Sequence, residues 1–186
     1  MDEELTLWEL GRLEAERKLR TIAPSVLETA WVREAQVEAV IDAVLVLSVG
    51  SNTSAYARAR EVGEWSARIA GALKDAPDAV RARRIGVLRD LDPAALERIP
   101  ELRNLAGPIR EYQRYAIDGD DRVGTLALIV AVADEFAQRI GRDEGGLGAS
   151  PSLVLELMHA RSDGALRSIV AALATAVHPK SRMRVA

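Results

Sequence analysis

RVGTLALIVAVADEFAQRIG, residues 122–141, predicts a helix, because Val123, Leu126, Ala127, Val130, Ala133, Ala137 and Ile140 recur every three or four positions. Asp134 follows Val130 by four residues and Ala127 by seven, so it borders the apolar face rather than the wet one. A carboxylate placed there is costly unless a cation, a metal or several donors hold it. Two readings follow from the residues alone. Either an arginine from a neighbouring helix pairs with Asp134, or Asp134 is a ligand in a site.

The rest of the chain surrounds this helix with others. Its 186 residues suffice for one domain with a sizeable core. Apolar residues make up 48%, charged residues 28% and aromatic residues only 4%, with Ala, Leu, Arg and Glu prominent, which is a helical composition. A formal charge of −3 argues against nucleic acid as a partner. The absence of cysteine excludes disulfides, thiolate metal sites and cysteine catalysis. The acidic opening MDEELTLWEL lacks a signal-peptide pattern, and no apolar run reaches the roughly 18 residues of a membrane span. A cytoplasmic, bacterial-style protein is expected.

In chain order, residues 3–20 predict a first helix with Leu5, Trp8, Leu13 and Leu19 on a broken apolar stripe, ended by the turn before Pro24. Residues 1–22 are thus expected to form a docking or dimerisation helix, with Leu5, Trp8 and Leu13 as its contact. A long periodic run covers 25–49, another helix about 54–74, and a third ends near Leu88. Asp92-Pro93 marks a helix start. Pro100 and Pro108 are expected to split the next stretch into the short helices PELRNLAG and PIREYQRYA. After the 122–141 helix comes the glycine-rich RDEGGLGAS, which has no phosphate-loop spacing. Ser150-Pro151 opens a helix to about His159, and Ser162 or Asp163 caps a last one to Val177, followed by a basic tail at 179–186. No strand pattern occurs. The expected architecture is all-α, a single-domain bundle of about eight helices spanning 23–178.

Four stretches in this order resemble the HD superfamily of metal-dependent phosphohydrolases, most closely its HD-GYP branch. They are AYARAREVGEWSARIAGAL, IGVLRDLDPAALERIPEL, IREYQRYAIDGDD and LALIVAVADEFAQRIGRDE with ASPSLVLELM, and VADEF is the most specific piece. The resemblance covers about residues 35 to 178 and implies an HD-domain-like bundle. It also implies lost chemistry. The family's first histidine falls on Arg58, the histidine of its HD pair on Arg89, and the aspartate of that pair is kept as Asp90. Its later paired histidines fall on Glu111 and Tyr112, its last aspartate ligand is Asp134, and the glycine-tyrosine-proline signature is absent.

Such enzymes use metal ions to activate water and clamp a phosphodiester, and first-row metals favour neutral imidazole with carboxylates. Arginine stays charged and cannot ligate a metal. Arg58 and Arg89 are instead expected to supply the positive charge, pairing with Asp134 and Asp90 in a structural ion-pair cluster. His159 and His178 fall outside the matched positions and are expected at the surface or at helix ends. The basic runs at 57–61 and 81–84 are expected to be solvated helix faces.

The resemblance therefore implies a non-catalytic regulatory or protein-interaction module in bacterial signalling, with no catalytic residue, metal or cofactor. A protein partner or a homodimer is expected, and no membrane. Two alternatives stand beside it. A nucleotide or anion sensor would use Arg58, Arg89 and Arg114, and a rearranged metal-dependent phosphodiesterase would use Asp90, Glu111 and Asp134.

Overall fold

The computed structural model describes residues 32–73, 78–119, 122–141 and 148–178. Among them the only regular structure is helical, in eight helices. They are α1 (32–49), α2 (Thr53–Ala72), α3 (Ala79–Leu88), α4 (Pro93–Glu97), α5 (Arg103–Asp118), α6 (Thr125–Ile140), α7 (Pro151–Arg161) and α8 (Gly164–Val177). Two compact units divide the chain, Met1–Asp42 and Ala43–Ala186. The described part of the first, 32–42, is helical throughout. The expected docking helix, with Leu5, Trp8 and Leu13, and the basic tail at 179–186 lie outside the described residues.

Three helix starts in the second unit are written locally. Asn52 accepts from the Ala55 N–H at 3.0 Å, Asp78 from Arg81 N–H at 3.0 Å and Asp92 from Ala94 N–H at 3.0 Å, each satisfying a donor that a first turn leaves open. Gly119, at φ +67°, closes α5 in the left-handed conformation that a side chain disfavours.

α6 is the centre of this unit and packs against α2, α3, α5, α7 and α8. Its buried set is wider than the stripe read from spacing: Leu128, Ile129, Val132 and Phe136 are buried alongside Ala127, Val130, Ala133 and Ala137. A helix covered on most sides has no single wet face, so periodicity understates its burial. Phe136 meets Trp65 of α2 edge to face, ring centroids 4.9 Å apart.

α2 and α3 cross at two glycines. A methyl at Gly86 would lie 2.7 Å from Ser66 Oγ and 3.0 Å from Gly63 Cα, and one at Gly63 would meet Val87 Cγ2 at 2.5 Å. This backbone-to-backbone approach lets the end of α3 reach α6.

The expected break at Pro108 does not occur. α5 runs through it as one helix. Proline has no N–H for the Asn104 carbonyl one turn back, and the Arg81 guanidinium of α3 takes that carbonyl at 2.9 Å instead. The run at 81–84 is therefore more than a solvated face, since Arg81 is half-buried and is used across helices.

Candidate functional site

Asp134 sits at the middle of α6, flanked by buried Ala133 and Phe136, and its side chain keeps 23% of its surface exposed. Helical geometry puts it on the border of the core, as its spacing predicts. What holds it comes from three other helices.

Arg89, the residue that closes α3, is buried, with a side-chain exposure of 4%. Its Nε and Nη2 both donate to Asp134 Oδ1 at 3.1 Å. Nη2 also lies 3.2 Å from Asp90 Oδ2, and Nη1 donates to the Gly86 carbonyl at 3.1 Å. All three guanidinium nitrogens are thus engaged within the chain. Burial of a charge is tolerable only with such pairing.

Arg58 reaches Asp134 Oδ1 from α2 at 3.5 Å with a half-exposed side chain, a weaker and more solvated contact. Tyr112, buried on α5, donates its hydroxyl to Asp134 Oδ2 at 3.0 Å. Burial pushes the Tyr112 phenol well above its ordinary value, and the Asp134 charge adds to that. The phenol therefore remains a donor. Both oxygens of Asp134 are occupied by the chain's own cations and hydroxyl.

The turn after α3 is also held from α5. Gln113 Nε2 donates to the carbonyls of Arg89 at 2.9 Å and Leu91 at 2.8 Å, which the helix end leaves without helical partners. No sequence motif singles out Gln113. Its adjacency to Tyr112, on a helix facing the same place, is the only trace of its role.

Of the six residues expected in the cluster, the structure brings together Arg58, Arg89, Asp90, Tyr112 and Asp134. Asp90 stands at the rim, with 72% of its side chain exposed. Glu111 faces elsewhere. Its Oε2 accepts from the Gly124 N–H at 2.9 Å, so it caps the start of α6, where Gly124 has no side chain to do so. Among the described residues no three His, Asp or Glu side chains gather as metal ligands would. Arg114 is exposed on α5.

Both histidines are exposed and at helix ends, as expected. His159 lies in the last turn of α7 and His178 closes α8. His178 Nε2 is 3.5 Å from Ser152 Oγ, at the limit of a hydrogen bond. Among the described residues no helix is long and apolar enough to cross a membrane. No family model, curated protein or solved structure matches the chain.

Proposed function

We propose that the chain is a non-catalytic, HD-GYP-like module that acts by binding a protein partner, in a bacterial signalling context. One observation carries this reading. Positions 58, 89, 90 and 134, which the resemblance matches to metal-ligand positions, form one ion-pair cluster, with Arg58 and Arg89 on Asp134 and Arg89 also on Asp90. The guanidinium groups satisfy Asp134 where a metal would otherwise compensate it. A divalent cation there would face Arg89 at contact distance and displace three hydrogen bonds.

The two alternatives draw less support. A nucleotide or other anion would have to take Arg89 away from Asp134, Asp90 and Gly86. A metal site built on Asp90, Glu111 and Asp134 would have to pull Glu111 from the Gly124 N–H.

The purified chain should show no turnover of bis(p-nitrophenyl) phosphate or a cyclic dinucleotide with Mn²⁺, Mg²⁺ or Fe²⁺. Copurification of the tagged chain from its native cell should recover a stoichiometric protein partner. Phosphodiester hydrolysis abolished by a chelator would overturn the reading.

A further inference from the structure

A concavity of about 320 Å³ lies where the end of α1, the start of α2 and the turn after α3 meet. Its wall is apolar at Leu45, Val49, Ala59 and Val87, and the small side chains of Ala55 and Ala59, one turn apart on α2, leave the space open. Three polar side chains border it, namely Ser48, Asn52 and Asp90.

The bonding inventory of these three sets the chemistry of an occupant. Ser48 Oγ gives its proton to the Leu45 carbonyl at 2.8 Å and retains only acceptor capacity. Asn52 Oδ1 is taken by the Ala55 N–H and the Ser54 hydroxyl, so Asn52 is committed to the start of α2. Asp90 engages Arg89 through Oδ2, while Oδ1 has no partner among the described residues. Asp90 is also the one formally charged side chain of the lining, and Arg89, the nearest cation it pairs with, is committed to Asp134 as well.

We propose that this cavity binds a small primary amine with an apolar body. The ammonium donates to Asp90 Oδ1 and Ser48 Oγ, and the body lies against Leu45, Val49 and Val87. A charge-assisted contact with a carboxylate orients the head, and removal of the apolar body from water supplies most of the affinity. The volume falls at the small end of ligand sites, suiting a molecule of about ten heavy atoms. The lining itself offers no cation to a phosphate or nucleotide. This inference stands on the cavity alone and survives failure of the HD-GYP-like reading.

Isothermal titration of the full chain with 2-phenylethylamine, 2-phenylethanol and adenosine monophosphate tests it. The amine should bind saturably at one site, at least about tenfold more tightly than the alcohol, which lacks the charge. Adenosine monophosphate should not compete. Asp90→Asn should bring the amine down to the level of the alcohol, and Ala55→Leu or Ala59→Leu should weaken the amine at least about tenfold by filling the space. Amide shift changes in the wild-type chain should centre on Val49, Ala55, Val87 and Leu91, a readout that needs no variant to fold. Absence of saturable amine binding, equal affinity for amine and alcohol, or shift changes centred elsewhere would each overturn the proposal.

Discussion

Arg89 carries more of the site than any other side chain, because it is buried and answers two carboxylates and a carbonyl at once. Removing its charge strands Asp134. Arg89→Met should cost about 2–4 kcal/mol in urea unfolding, somewhat below the value for a fully buried pair because Asp134 keeps 23% of its side chain in water. The double variant Arg89→Met with Asp134→Leu should recover only part of that loss, since the buried charge is then gone but the Tyr112 hydroxyl has lost its acceptor. A neutral single variant would show that the cluster is incidental.

Tyr112 makes a second prediction at this scale. Its phenol is pushed up by burial first and by the Asp134 carboxylate next. The folded chain therefore keeps this proton at pH values where the unfolded chain releases it. The contribution to stability is complete below about pH 10 and is lost as the pH rises above it. Tyr112→Phe should lower stability at pH 7 by about 1.5–3 kcal/mol through loss of a hydrogen bond to a charged group. It should also make the alkaline decline above about pH 10 shallower than in the wild type. Parallel declines would place the titration elsewhere.

Among the elements, α5 is the one whose continuity depends on a neighbour. Pro108 removes the N–H that would have served Asn104, and Arg81 of α3 supplies the donor across the helix boundary. Arg81→Met should destabilise the chain by about 0.5–1 kcal/mol, because the exposed Asn104 carbonyl then exchanges a protein donor for water. In a Pro108→Ala background, where the helix makes its own bond, the same change should cost about half as much. Equal costs in both backgrounds would mean that Arg81 acts through packing alone. The α2–α3 crossing has a related logic. Gly63 and Gly86 bring two backbones together, and that approach sets how far Arg89 can extend toward α6.

Across the whole molecule, the all-helical class was legible because helix signals are local. Spacing and the starts at Asp92-Pro93 and Ser150-Pro151 sit within a turn of the elements they define. Bounds read at 54–74 and 122–141 fall close to the observed Thr53–Ala72 and Thr125–Ile140. The pairing of Arg58 and Arg89 with Asp134 was legible too, since a carboxylate at a helix border needs cations and the matched positions carried arginine. Pro108 misled for a physical reason, namely that its missing bond is repaired by a residue 23 positions away in sequence order from Asn104. Glu111 misled similarly, as its partner is a backbone N–H on the next helix rather than the cluster.

By itself, then, the sequence determined that this protein is built of helices, where most of them start and stop, and that Asp134 needs a cation, a metal or several donors to hold it. Those properties depend on neighbours one to seven residues apart, within one or two helical turns. Only the tertiary structure decided that α6 is covered on most sides, that α5 survives its proline, that Gln113 holds the turn after α3 and that Glu111 caps α6. Each of these rests on a hydrogen bond or a packed surface between separate helices, and hydrogen-bond partners brought together from distant segments leave no period in the chain that makes them.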